Sequence, residues 1–172
     1  MKRLGLESTA GPVILVTGAA RRIGAAIAKR LHAEGCRVVI HCRRSIKEGE
    51  DLCLSLNQKR ADSACCIRAD LLDGQGVTEL AQESLKIWGR MDGLVNNASV
   101  FYPTQMVTAR KKDWQELMGV NLEAPFFLSQ ALLPALQRSG GAIVNIADVY
   151  GLRPLDGYSI YSVTKAGLIG LT

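Results

Sequence analysis

The sequence has no apolar run near the roughly 18 residues that a membrane-crossing helix requires. Its polar opening, Met1 to Pro12, lacks the apolar stretch of a secretory signal. A cytoplasmic protein with no membrane partner is therefore expected. Paired cysteines are missing too: Cys36, Cys42, Cys53, Cys65 and Cys66 are odd in number, show no CxxC spacing and have no histidine pair to complete a zinc site. They read as reduced thiols, mostly buried, with no metal. Nor does a recognised nucleic-acid-binding motif accompany the net charge of +5, whose basic residues are scattered. Arg21-Arg22 and Arg43-Arg44 stand out, and a phosphate on a small ligand suits them better than a polynucleotide.

What remains is an ordinary globular composition, 48% hydrophobic and 22% charged over 172 residues. A chain of that length buries roughly 70% of its unfolded surface, so it holds a core without disulfides or metal. With no repeats or low-complexity segments to divide it, residues 1–172 read as one domain.

Short apolar runs alternate with helical patterns along the whole chain. Strands are predicted at Val13 to Thr17, Arg37 to His41, Ala64 to Arg68, Gly93 to Asn96 and Ala142 to Ala147, each nearly continuous in apolar residues, as strands covered on both faces are. Helices are predicted near Ile23 to Glu34, Lys47 to Lys59 and Gln75 to Trp88, with a long helical region from about Lys112 to Arg138. A last helix is expected to begin near Tyr158. The fold class is thus α/β, a Rossmann-like doubly wound parallel sheet that stops after its fifth strand and the start of the following helix.

Where the first strand meets the first helix the sequence reads Thr17-Gly18-Ala19-Ala20-Arg21-Arg22-Ile23-Gly24. Gly18 permits a sharp turn, Gly24 permits close helix–sheet packing, and the free N–H groups of a helix N-terminus suit a pyrophosphate. Arg22 stands where glycine is more usual, and it can reach a phosphate. At the end of strand two, where a carboxylate normally grips the ribose of an unphosphorylated dinucleotide, stands His41-Cys42-Arg43-Arg44-Ser45. Two forked cations and a hydroxyl suit a phosphate monoester, so NADPH is inferred over NADH. A solvated basic turn is the plain alternative. Asp70-Leu71 after strand three and Asn97-Ala98-Ser99 after strand four fall on the same carboxyl edge, where Asp70 can accept from an adenine amino group.

Tyr161 and Lys165 are four residues apart, hence on one helix face. An ammonium beside a phenol favours phenolate and lowers the phenol's pKa, which eases proton transfer near neutrality. Asp148, at the carboxyl end of strand five, can hydrogen-bond that phenol or feed it a proton if its own pKa is raised. Tyr150 and Tyr158 are the rivals, and neither has a lysine one turn ahead. Pro125 cannot donate to the carbonyl of Asn121, so the long helix should be disturbed there, leaving a carbonyl that can hold a water in line with Lys165.

TGxxxxxG, NNAS, the Asn before Ala-Pro and Tyr-x-x-x-Lys, in this order and spacing, resemble the short-chain dehydrogenase/reductase family over essentially the whole chain. TGAARRIG, HCRRS, NNASVFYPT and Asp148 in place of the usual serine resemble its pteridine reductase subgroup, which reduces biopterin or folate with NADPH. The resemblance implies that Tyr161 donates the proton, that Lys165 binds the nicotinamide ribose and depresses the tyrosine pKa, that Asp148 partners Tyr161, and that Asn121 completes a proton relay. It further implies that Phe101 stacks the pterin against the nicotinamide, and that Ser99 contacts both pterin and cofactor. Hydride would pass from NADPH to a ring C=N carbon, with protonation of the adjacent nitrogen. Family members commonly form homotetramers through the helices that carry Asn121 and Tyr161. Against an ordinary member, about a third of the fold would lie beyond Thr172, including the loop that covers the substrate. Reduction of another carbonyl, such as a ketoacyl or steroid-like substrate, and a non-catalytic NADPH-binding module remain as alternatives.

Overall fold

Five parallel strands and their crossover helices alternate along the chain in the computed structural model, which describes residues 11–172. All but the last two residues of the polar opening, Met1 to Pro12, lie outside the described residues. The strands are β1 (Val13–Val16), β2 (Arg37–Cys42), β3 (Ala64–Arg68), β4 (Gly93–Asn96) and β5 (Ala142–Asn145). The helices are α1 (Arg22–Ala33), α2 (Ile46–Lys59), α3 (Gly74–Trp88), α4 (Lys111–Met118), α5 (Ala124–Ser139) and α6 (Ser159–Gly170). The sheet order is β3-β2-β1-β4-β5. Chain progression therefore reverses between β1 and β4, which opens a crevice at their carboxyl ends where such sheets take ligands.

Alternating side chains divide the core between two faces. Val38 and Ile40 of β2, with Val16 and Val95, pack under α1 and α2 against Ala25, Ala28, Leu52 and Leu56. Val39, on the opposite side of the same strand, joins Leu15 and Leu94 under α3 and α5, against Leu80, Leu128 and Leu132. Each fully buried leucine contributes roughly 2–3 kcal/mol of transfer free energy, enough to set the register on both sides.

The break expected around Asn121 forms, and two other local expectations differ from what is found. The long helix is interrupted: residues Gly119–Glu123 make a π-turn in which Ala124 N–H reaches back five residues to Gly119 O, one residue before Pro125 enters α5. β5 ends at Asn145, because Ala147 N–H turns back onto Asn145 O, and its Val144 is 50% exposed, with no helix among the described residues over it. Of the cysteines, only Cys36 and Cys42 are buried; Cys53, Cys65 and Cys66 are half-buried, and all five are free thiols.

Candidate active site

Gly18 and Gly24 occupy places that no side chain fits. Gly18 has φ +62°, and a Cβ there would lie 2.9 Å from Ala98 Cα; one on Gly24 would strike Gly18 O at 2.3 Å. Arg22 also adopts a left-handed φ of 52°, the physical reason that glycine is the easier residue at that point. The turn is knitted to the loop after β4. Thr17 Oγ1 accepts from Asn97 N–H at 2.9 Å and Ala98 N–H at 3.0 Å, while Asn97 Nδ2 donates to Thr17 O at 2.8 Å.

His41 lines the cleft mouth, but its ring is committed to the fold. Nδ1 accepts from Gly18 N–H at 3.2 Å and Nε2 faces Ala69 O at 3.2 Å, so a single neutral tautomer, with the proton on Nε2, satisfies both contacts. Burial pulls its pKa from 6.5 to about 4, with the Ala69 carbonyl and Asp70 working the other way. The ring pins the end of β2 to the glycine turn.

The adjacent arginines are divided in their commitments. Arg43 Nε meets Asp70 Oδ2 at 2.9 Å, and Asp70 Oδ1 accepts from Leu72 N–H at 3.0 Å. Arg21 lies 3.4 Å from Glu48. Arg22 and Arg44 are in no ion pair among the described residues, and Ser45, at the N-cap of α2, makes no side-chain cap bond. Free cationic and hydroxyl donors thus gather beside a helix N-terminus. They edge a cleft of about 640 Å³, lined also by Ile23, Leu71, Asn97, Ala98 and Ser99. Val100, Glu116 and Val120 complete its wall, which the sequence reading missed. Val100 lies within NNASVFYPT after β4, while Glu116 on α4 and Val120 in the π-turn fall in no motif.

Beyond the cleft, Tyr161 is buried at 5% exposure and its hydroxyl donates to Asp148 Oδ2 at 2.8 Å. Asp148 Oδ1 accepts from Tyr150 N–H at 3.0 Å, which fixes the carboxylate. Lys165, 3% exposed, donates from Nζ to Ile146 O at 2.9 Å, with Nζ 5.7 Å from the centre of the Tyr161 ring. These contacts reverse an expectation. Burial, then the hydrogen bond to Asp148, raises the Tyr161 pKa above its ordinary value, opposed by the Ser99 hydroxyl. Burial lowers that of Lys165, opposed by Asp148. A carboxylate touches the phenol, whereas the ammonium is bound to a backbone carbonyl, so the acidifying effect expected from Lys165 is outweighed.

Asn121 is 1% exposed and enters the site through its side chain. Its Oδ1 accepts from Val100 N–H at 2.8 Å and Ser99 Oγ at 3.2 Å; Nδ2 donates to Val100 O at 2.9 Å and Thr164 Oγ1 at 3.3 Å. It therefore joins the loop after β4 to the helix of Tyr161 and Lys165. Phe101 stacks on Tyr158, ring centres 4.6 Å apart and planes 12° apart, and meets the Tyr161 ring edge-on at 4.7 Å. Tyr158, the N-cap of α6, is thus part of the site; its place three residues before Tyr161 was the available signal.

Residues 12–172 match the family described as short chain dehydrogenase. The chain belongs to that family. It is 38% identical to pteridine reductase 1 of Leishmania tarentolae over 206 aligned positions, covering 96% of this chain and 70% of that protein. It is 33% identical to a 3-oxoacyl-(acyl-carrier-protein) reductase of Staphylococcus epidermidis and 34% identical to one of Staphylococcus aureus, in each case over 92% of this chain. The chain spans less than two thirds of those two reductases, 65% and 64%. The short-chain dehydrogenase motifs converge on one edge of the sheet: the glycine turn and basic corner at the cleft, Tyr161, Lys165 and Asp148 beyond it. No helix among the described residues is long and apolar enough to cross a membrane.

Proposed function

We propose that this chain carries the dinucleotide site and catalytic residues of an NADPH-dependent pteridine reductase. The observation that carries the reading is the direct bond from Tyr161 to Asp148. In the resemblance stated above, a carboxylate at that place distinguishes pteridine reductases from members with serine. The exposed face of Phe101 beside it suits a flat heteroaromatic ring.

The residues present fit the cofactor. Arg22, Arg44 and Ser45 would hold the phosphates and the 2′-phosphate, with no carboxylate at the end of β2 to repel them. Gly18, Ala98 and Ser99 would let its backbone-facing side approach. When bound, the dinucleotide supplies the hydride. The chain's own part is the proton. Tyr161 donates from its hydroxyl to the substrate nitrogen next to the carbon reduced, and the Lys165 ammonium returns a proton to the phenol, Asp148 orienting the hydroxyl and Asn121 holding the relay in place. Lys165 would exchange the Ile146 carbonyl for ribose hydroxyls.

Five free thiols fit a reducing compartment, the cytoplasm. Trp114, Phe126 and Phe127, nearly half exposed along α4 and α5, fit burial against a second copy of the chain in a tetramer. A second reading, reduction of a ketoacyl substrate, is favoured by the likeness to the two staphylococcal enzymes. An NADPH absorbance assay with dihydrobiopterin, dihydrofolate and a ketoacyl thioester separates the two. Oxidation with the pterins supports the proposal; oxidation with the thioester alone overturns it.

A further inference from the structure

Between Ser99 and Thr104 the chain leaves β4 as a run whose burial alternates. Ser99, Phe101 and Pro103 are exposed, Val100 and Tyr102 half-buried, and Thr104 buried. Each inward residue is tied down. Val100 is held through both backbone groups by Asn121. Thr104 N–H donates to Gly157 O at 2.7 Å. Tyr102 is held at its far end, its hydroxyl donating to Glu116 Oε2 on α4 at 3.0 Å. Burial, then Glu116, pushes the Tyr102 pKa up to about 12, so the phenol remains a donor at every ordinary assay pH.

Phe101 sits between two of these anchors. Val100 and Tyr102 pack against the cluster of Leu117, Ile160 and Tyr161, and the half-exposed ring of Phe101 between them rests on Tyr158 and Tyr161. Asn121 fixes where the run starts; the Tyr102 bond fixes how it is rotated. We propose that the bond from Tyr102 to Glu116 is a latch that sets the plane of Phe101 for the flat substrate, making both positioning residues for substrate affinity. The proposal rests on the pteridine reading above.

The test uses the full chain with dihydrobiopterin, measuring KM and kcat together with calorimetric titration of the pterin in the presence of NADP⁺. Tyr102→Phe removes one hydroxyl and should raise KM and the pterin Kd roughly five- to tenfold, with kcat and NADPH affinity within about twofold of wild type. Glu116→Ala should match the rise in KM and pterin Kd, with kcat and NADPH affinity judged on Tyr102→Phe because Glu116 also lines the cleft, and Glu116→Gln, which keeps an acceptor, should recover most of the loss. The double variant Tyr102→Phe with Glu116→Ala should be no worse than either single change. Unchanged KM in Tyr102→Phe, a parallel fall in NADPH affinity in that variant, or additive losses overturns the latch. If Glu116→Ala fails to fold, Tyr102→Phe decides alone. A wild-type chain that neither binds nor reduces a pterin removes the functional reading and the latch with it; a wild-type chain that does both, with indifferent variants, removes only the latch.

Discussion

Tyr161 donates to Asp148 across 2.8 Å, while Lys165, one helical turn on, is bound to the carbonyl of Ile146. Burial, then the carboxylate, raises the phenol's pKa in the free protein and keeps it a neutral acid. That is the state a proton donor needs at the start of a reduction.

Replacing Asp148 with asparagine keeps an acceptor for the phenol and removes the negative charge that opposes phenolate. The basic limb of the pH–rate profile should move to lower pH, and kcat should fall roughly a hundredfold as the phenol loses the carboxylate that orients it. A basic limb that stays in place would show that Asp148 does not govern the phenol.

Tyr161→Phe keeps the ring that packs beside Phe101 and deletes the proton donor. Turnover should drop by at least roughly a hundredfold while NADPH affinity stays within about threefold. Fluorescence titration of NADPH alongside the turnover assay checks both halves.

The divided arginines should differ in effect. Arg44→Ala removes a cation with no carboxylate partner among the described residues and should weaken NADPH roughly tenfold or more while leaving NADH nearly unchanged. Arg43→Ala removes a charge already compensated by Asp70, and the ratio of the two cofactor affinities should move less. Equal loss of NADPH and NADH in Arg44→Ala would place that residue away from the 2′-phosphate.

His41 should make the protein sensitive to acid. Its ordinary pKa of 6.5 falls to about 4 in the fold, so between those values the unfolded chain binds a proton that the folded chain refuses. The stabilising contribution is complete above pH 6.5 and is lost as pH falls toward 4, about 3 kcal/mol across the window. In His41→Gln, whose amide can accept from Gly18 N–H and donate to Ala69 O, the dependence of Tm on pH across that window should flatten. A slope equal to wild type would assign the acid sensitivity elsewhere.

The strands and the glycine turn were legible in the sequence because each depends on local pattern: continuous apolar runs for a sheet covered on both sides, and small residues where the backbone must turn. Pro125 likewise announced the break around Asn121 through its missing N–H. Partnerships were harder to read. Nothing adjacent in sequence shows that Asp70 engages Arg43 rather than standing free, that both ring nitrogens of His41 are already used, or that Ile146 claims the Lys165 ammonium. Those outcomes depend on which strand ends meet in space. The Tyr161 pKa followed: spacing put the lysine close, but burial and then contact with the carboxylate decided its direction.

The two-sided run from Ser99 to Thr104 makes this stretch intolerant of a change in length. Substitution there alters one surface at a time, whereas loss of a single residue between the Asn121 clamp and Thr104 would exchange inside for outside along the rest of the run. The registers set at Val100 and at Thr104 would then fall out of step, and Phe101 and Tyr102 could not both keep their present sides, without any alteration of the helix that carries Tyr161.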